Sequence, residues 1–176
     1  LADACMEFLL HTNRTDDLDG ALQILIGLFP LSKEFLVKLL KQKKRKFDYE
    51  IHFQLFFLFA HMQPFPHHFR KFCSSMAEVY LMNSERNVAQ SAYMAGDMLG
   101  EHWRVTEALP VLARCAQEGR RAVGREWAVY GLAALSTRTK SRRSLDRITA
   151  ALSQVTIADA SEKVRSRARN AVKEIR

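Results

Sequence analysis

One pattern of four apolar or small residues recurs along the chain. Its members stand at positions i, i+4, i+7 and i+11, which form one face of an α-helix. The sets are Leu18, Leu22, Leu25 and Phe29; Ile51, Leu55, Leu58 and Met62; Val88, Ala92, Ala95 and Leu99; Gly124, Ala128, Gly131 and Leu135; and Val164, Ala168, Ala171 and Ile175. Their first residues lie 33, 37, 36 and 40 residues apart. That period is typical of a repeat built from two helices.

A second amphipathic stretch precedes or separates these sets. The stretches are Ala2 to Leu10; Phe35, Leu36, Leu39 and Leu40; Phe69, Phe72, Met76 and Val79; Val105, Leu109, Leu112 and Ala116; and Leu145, Ile148, Leu152 and Val155. Pro30 closes one predicted helix, Pro64 and Pro66 separate two repeats, and Asp48 and Ser84 precede helices as caps. The pattern predicts ten helices in five antiparallel pairs.

The composition supports an all-helical fold. Four Pro and seven Gly in 176 residues provide few of the tight turns that a β-sandwich or barrel requires. Cys5, Cys73 and Cys115 are too far apart for a disulfide framework or a Cys-x-x-Cys metal site, so we expect reduced core residues. The apolar run from Leu55 to Met62 is far shorter than the ~20 residues that span a bilayer. We therefore expect no membrane association and an intracellular protein, cytoplasmic or, in a eukaryotic cell, nuclear.

The last helix pair carries a more specific signal. Asp159 is followed by Val164 and Arg165 and then by Ala168 and Ala171, an arrangement that resembles the second helix of a HEAT repeat. Members of that family form a right-handed superhelix of antiparallel helix pairs, in which the second helices line a concave surface. The resemblance therefore implies a HEAT-like α-solenoid of about five pairs.

The same resemblance implies a ladder of Asp and Arg side chains between adjacent repeats. Arg125 stands at the arginine position of the fourth pair, whereas Ala89, His52 and Asp19 stand there in the first three. The ladder is thus expected only at the C-terminal end of the array. Pro110, inside the first helix of the fourth pair, is similar to a kink common in the family.

The domain prediction is a single repeat domain over residues 1–176. Its repeats are expected at roughly 1–30, 31–63, 64–100, 101–137 and 138–176. A non-repetitive helical bundle is the alternative, because its helices show the same apolar offsets. Small residues at the third position of the last three sets favour the solenoid, since they let stacked helices approach closely.

The residues that face a concave surface follow from helical geometry. Positions five and nine after the first residue of each set point away from the core at about 100° per residue. They are Gln23 and Gly27, Phe56 and Ala60, Tyr93 and Asp97, Val129 and Ala133, and Arg169 and Lys173. The predicted surface is apolar or aromatic in the middle and basic at its C-terminal end.

Aromatic side chains in this region admit two interpretations. The stretch Ile51 to Ala60 is apolar nearly all round, which is typical of a helix buried on every side. Alternatively, Phe53 and Phe56 are partly exposed anchors for a peptide or helix in the groove. Trp127 falls near the edge of the core face and Trp103 just before a helix, so we expect both to pack in the core.

Charge is concentrated at one end of the chain. Residues 1–100 carry 11 basic and 11 acidic side chains, while residues 101–176 carry 16 basic and 8 acidic ones, so the whole net charge of +8 lies there. Our leading hypothesis is a non-enzymatic scaffold that binds an acidic protein segment. Its expected binding residues are Phe53, Phe56, Tyr93, Asp97 and Tyr130 for contact, and Arg125, Arg165, Arg169 and Lys173 for charge.

Two alternatives involve nucleic acid. The basic C-terminal third, including the loop from Arg138 to Arg143, suits a DNA or RNA backbone. Bacterial alkylpurine DNA glycosylases are HEAT-like, and Tyr93, Asp97 and Arg125 resemble their aromatic, aspartate and arginine residues in type. No catalytic, metal-binding or phosphate-loop motif is found, so the leading prediction contains no enzyme activity, no metal and no cofactor.

The two ends of the array are predicted to differ. The helix Ala2 to Leu10 is mostly apolar, so we expect it to pack against further chain or a second copy. The final helix can end in water because its surface is cationic. Its cations are Lys163, Arg165, Arg167, Arg169, Lys173 and Arg176.

Overall fold

The computed structural model describes two continuous stretches, residues 67–83 and 89–175. It also describes Leu1, Ala4, Cys5, Glu7, Phe8, Gly20, Ala21, Ile24, Leu25, Leu28, Ser32 and Glu34. The chain divides into two compact units, Leu1–Lys71 and Phe72–Arg176, which are described separately. The prediction of one continuous repeat domain stays a prediction.

The first unit has helical residues in three short regions before residue 67. Ala4, Cys5, Glu7 and Phe8 are helical, as are the residues described between Gly20 and Leu25, and Glu34. Cys5, Ala21 and Leu25 are buried, and the Ser32 hydroxyl donates a hydrogen bond to the Leu25 carbonyl. Phe8 and Ile24 are partly exposed and border a small cavity of about 260 Å³.

The first of the remaining helices spans the boundary between the two units, and the others lie in the second unit, where short turns join them. Their bounds are α1, His67–Asn83; α2, Ala89–Asp97, which continues as a π-helical turn, Met98–His102; α3, Val105–Glu118; α4, Ala122–Arg138; α5, Arg142–Ala158; and α6, Glu162–Ile175. No strand occurs among the described residues, so the all-α prediction is confirmed for them.

The helices of the second unit pack in a regular pattern. α3 packs on α4 and α5 on α6. Between these pairs, α2 packs on α4, α4 on α6, and α3 on α5. From α2 to α6, with α2 taken together with its π-helical turn, each helix contacts its sequence neighbour and the helix two places along, and α4 has neighbours on both flanks.

The repeating apolar sets form the core of this packing. All but one of the set members described on α2, α4 and α6 are buried, namely Ala92, Ala95, Leu99, Gly124, Ala128, Gly131, Leu135, Val164, Ala168 and Ala171; Ile175, the last residue of α6, is half-buried. Leu109, Leu112, Ile148 and Leu152 supply the facing side chains from α3 and α5. Trp103, in the turn before α3, is fully buried. Val79 of α1 departs from the prediction because half of its surface is exposed.

Glycines bring the end of α2 close to α4. A Cβ atom on Gly96 would lie 2.4 Å from the Trp127 carbonyl oxygen, and one on Gly100 would lie 2.8 Å from Gly131 Cα. A Cβ on Gly131 would meet Gly96 O and a Leu112 methyl group at 2.8 Å. The two backbones touch here, and no larger residue fits without moving them.

None of the described helices combines the length and the apolar character that a bilayer span requires.

Candidate functional site

An aromatic cluster lies where α2, α4 and α6 meet. Tyr93 of α2 and Trp127 of α4 have ring centroids 4.7 Å apart, and Tyr130 packs edge-on to Trp127 at 5.6 Å. The guanidinium of Arg167 from α6 lies 5.0 Å from the Trp127 ring centroid. That distance is within the range of a cation–π interaction. Trp127 and Tyr130 are three residues apart, so they share one face of α4.

The π-helical turn adds titratable groups beside this cluster. The Tyr130 hydroxyl lies 3.5 Å from Asp97 Oδ1, and His102 Nε2 lies 3.8 Å from Asp97 Oδ2. Burial, with a further contribution from the Asp97 charge, raises the pKa of Tyr130. Tyr130 is therefore a neutral hydrogen-bond donor at neutral pH.

A buried carboxylate joins α4 to α6. Glu126 has a side chain that is 7% exposed, and Lys163 Nζ lies 2.9 Å from one of its oxygens. Arg167 Nη2 lies 3.4 Å from the other oxygen. Two cations therefore pair with one carboxylate, so the three side chains together carry one net positive charge.

These residues border an open groove between α4 and α6, with a volume of about 700 Å³. Ala133, Ala134 and Ala171 form its apolar floor, and Tyr130 closes one side. The polar residues of its rim are Glu101, Glu126, Thr137, Glu162, Lys163, Ser166, Arg167, Asn170 and Glu174. We call this space the α4–α6 groove.

A second polar cluster joins the turns that precede α4 and α6. Arg125 Nε and Nη2 donate to the two carboxylate oxygens of Asp159 at 2.6 and 3.0 Å, and Arg125 Nη1 donates to the Gly119 carbonyl at 2.7 Å. Burial acts to raise the pKa of Asp159, but the Arg125 and Ser161 hydrogen bonds outweigh it, so that pKa lies below its usual range. Arg165 donates to the Asp159 carbonyl from the other side.

Glu162 engages two further cations of α6. Its carboxylate accepts hydrogen bonds from Arg165 and Arg169. Hydrogen bonds from these two guanidinium groups lower the pKa of Glu162. Both arginines are therefore occupied within the chain.

The structure brings some of the predicted site residues together and separates others. Tyr93, Asp97 and Tyr130 lie in one cluster. Arg125 pairs with Asp159. Lys173 is exposed and has no ion-pair partner among the described residues. Phe53 and Phe56 lie outside the described residues.

The helical period predicts Val129 on the concave surface and Trp127 in the core. Val129 is fully buried. Neighbouring helices cover α4 on both flanks, so less of its surface is open to solvent than an amphipathic helix with one buried face would show. Trp127 is half-buried and contacts Arg167. Lys163 and Arg167 were predicted only as surface cations of the final helix, and Glu126 was not predicted. The sequence signal for this site is a pair of opposite charges, since Glu126 lies near the start of α4 and Lys163 and Arg167 lie near the start of α6.

The described residues offer little for nucleophilic or metal chemistry. Burial, with a further contribution from the Glu78 charge, raises the pKa of Cys115 to about 12, so its thiol carries no thiolate near neutral pH. No group of three or more His, Cys, Asp or Glu side chains in the described part of the chain could hold a metal ion. What the arrangement does provide is a recess with an apolar floor and a rim of donors and acceptors.

No family model matches the chain, and no curated protein matches it at a significant level.

Proposed function

We propose that the chain is a HEAT-like α-solenoid scaffold that binds a protein segment in the α4–α6 groove. The groove itself carries the proposal, because its small-residue floor lies between two helices and remains open to solvent. Recesses of this kind accept an apolar side chain of a partner while the rim orients it.

The packing pattern supports the solenoid part of the proposal. In a solenoid, the first helix of one pair packs on the first helix of the next pair, and the second helix packs on the second. The chain shows this arrangement, because α3 packs on α5 and α4 packs on α6. The bidentate Arg125–Asp159 pair, 34 residues apart in sequence, is the kind of rung that the HEAT resemblance implies.

The charges next to Lys163 favour an acidic side chain of the segment at that point, although Glu101 and Glu174 make other parts of the rim acidic. Lys163 is 76% exposed and, with Arg167, carries one positive charge more than Glu126 neutralises. A partner carboxylate next to Lys163 would neutralise the remaining positive charge. Arg125, Arg165 and Arg169 contribute less, since they already bind Asp159 and Glu162.

The test is a selection of displayed random 16-residue peptides against the whole chain. Recovered peptides are then titrated against Ala133→Trp, which fills the groove, and against Ala150→Trp, which adds the same bulk at an exposed site on α5. We expect Ala133→Trp to weaken binding at least tenfold and Ala150→Trp to leave it unchanged. We also expect the peptides to contain an Asp or Glu next to a large apolar residue.

Circular dichroism and a thermal melt check that both variants fold. Peptides that bind Ala133→Trp as tightly as the wild type would remove the groove from the proposal. A selection that enriches nothing over a folded control protein would argue against segment binding altogether.

A further inference from the structure

The cations of the second unit fall into two groups. Arg114, Arg125, Lys163, Arg165, Arg167 and Arg169 each lie within ion-pair distance of a carboxylate on another turn or helix. In contrast, other exposed cations have no carboxylate partner in the part of the chain that the structure describes, among them Arg120, Arg121, Lys140, Arg143, Arg147 and Lys173. Three of them, Lys140, Arg143 and Arg147, stand in the turn before α5 and in its first two turns.

Hydrogen bonds bring this segment next to the start of α3. Arg138, at the end of α4, donates from Nη1 to the carbonyls of Gly100 and Trp103 at 2.5 and 3.2 Å. Arg104 follows Trp103 directly and immediately precedes α3. Since α3 also packs on α5, the beginnings of both helices lie at one end of the second unit.

Six cations therefore share this end, which we call the basic edge: Arg104, Arg138, Lys140, Arg142, Arg143 and Arg147. Two of them have an acidic neighbour on their own helix, Glu107 for Arg104 and Asp146 for Arg142. The two arginines are largely exposed, so water and salt screen both pairs. The N-terminal ends of α3 and α5 add partial positive charge.

We propose that the basic edge binds the phosphate backbone of duplex nucleic acid. Five of its six cations are arginines, whose guanidinium groups bind phosphate oxygens in a two-pronged geometry. A duplex presents one negative charge per about 1.7 Å of its axis, so cations spread over two helix ends can engage it together. This surface is separate from the α4–α6 groove and does not depend on the groove binding a protein.

Two features of the edge distinguish duplex nucleic acid from other polyanionic surfaces. A single-stranded ligand would use exposed aromatic rings for stacking, yet the aromatic residue beside the edge, Trp103, is fully buried. A lipid surface would accept an inserted apolar side chain, but Ile157, the exposed large apolar residue of α5, stands at the opposite end of that helix. The edge is thus built for backbone contacts without base recognition.

The experiment is a fluorescence-anisotropy titration of a 20-base-pair DNA duplex of arbitrary sequence with the whole chain, at several salt concentrations. Two double variants are compared, Arg143→Gln with Arg147→Gln on the basic edge, and Arg120→Gln with Arg121→Gln in the turn between α3 and α4. All four arginines are exposed and have no carboxylate partner among the described residues, and each double variant removes two charges.

We expect the edge variant to raise Kd about tenfold and to reduce the slope of log Kd against log salt by about 2. The Arg120 and Arg121 variant is expected to stay within twofold of the wild type. A duplex of different sequence should bind equally.

Three results would overturn the proposal. The first is an equal loss in both double variants, which would indicate a response to net charge alone. The second is the absence of binding at about 50 mM salt, where phosphate contacts are strong. The third is equal or tighter binding of polyglutamate or of anionic lipid vesicles, which would reassign the edge to an acidic protein or a membrane.

Discussion

At the scale of single residues, Arg125 and Asp159 form the most enclosed ion pair of the described residues. Their side chains are 14% and 3% exposed. Loss of one partner of such a pair leaves the other as an uncompensated buried charge, which is more costly than the pair's own net contribution.

Asp159→Asn tests this contribution. We expect it to lower the free energy of unfolding by about 2 to 4 kcal/mol, because Arg125 would lose its charged acceptor. Asp146→Asn is the matched control, since Asp146 pairs with Arg142 on the exposed surface of α5. Its effect should stay within about 0.5 kcal/mol. Urea denaturation measures both, and equal midpoints for the two variants would refute the structural role of the pair.

The same residue makes stability depend on pH. The pKa of Asp159 is lowered in the folded chain, so on acidification the unfolded state binds its proton first. The contribution is complete above the unfolded value of about 3.9 and is lost as pH falls towards the lower folded value. Urea midpoints between pH 5 and pH 2 should therefore fall less in Asp159→Asn than in the wild type. Parallel curves for the two proteins would contradict the assignment.

Cys115 gives a residue-scale measurement of burial. Its pKa of about 12 and its lack of exposure mean that the folded chain presents no reactive thiolate there at pH 8. We expect a thiol reagent such as DTNB to leave Cys115 unmodified in the native protein and to label it fully in 6 M guanidinium chloride. Mass spectrometry identifies the labelled cysteine. Rapid native labelling of Cys115 would show that α3 opens locally.

At the scale of elements, the contact of α2 with α4 depends on residues that lack a side chain. Alanine is normally better than glycine in a helix by about 1 kcal/mol. At Gly131 the added methyl group would overlap Gly96 O and Leu112, so we expect Gly131→Ala to destabilise the chain by about 1 to 3 kcal/mol.

Gly20→Ala is the control for this substitution. Gly20 is helical and exposed, and a Cβ there would meet nothing within 4 Å. Thermal unfolding should show a lower Tm for Gly131→Ala and an unchanged or higher Tm for Gly20→Ala. Equal Tm values for Gly131→Ala and Gly20→Ala would contradict the close approach of α2 and α4.

Helical periodicity predicts which face of a helix is buried, but it does not predict how neighbouring helices cover that helix. The apolar offsets identified Ala128, Leu135 and Ala168 as buried, because one helical face is a property of local sequence alone. Val129 was assigned to the wrong surface, since the number of neighbours around α4 is set by tertiary packing. The contact of Trp127 with Arg167 was missed because it depends on the register between two helices 40 residues apart, which neither helix specifies by itself.

At the scale of the whole molecule, stability should vary along the second unit. α4 has neighbours on both flanks, whereas α6 packs on α4 and α5 among the described helices. In an array of nearest-neighbour contacts, helices with fewer neighbours open more readily. We expect hydrogen exchange to be slower in α4 than in α6, measured by mass spectrometry of peptic fragments. Uniform protection of both helices would indicate a single cooperative unit.

The two flanks of α4 also have different mechanical properties. On the α2 side, backbone lies against backbone at the glycines, which leaves no room for adjustment. On the α6 side, α4 packs on α6 as well, and flexible lysine and arginine side chains bridge to Glu126 beside an open groove. The contact with α2 is therefore rigid, whereas the contact with α6 has room to adjust at the groove. A segment bound in the groove would change the angle between α4 and α6 and leave that between α2 and α4 unaltered, so bending within the second unit would be concentrated between α4 and α6.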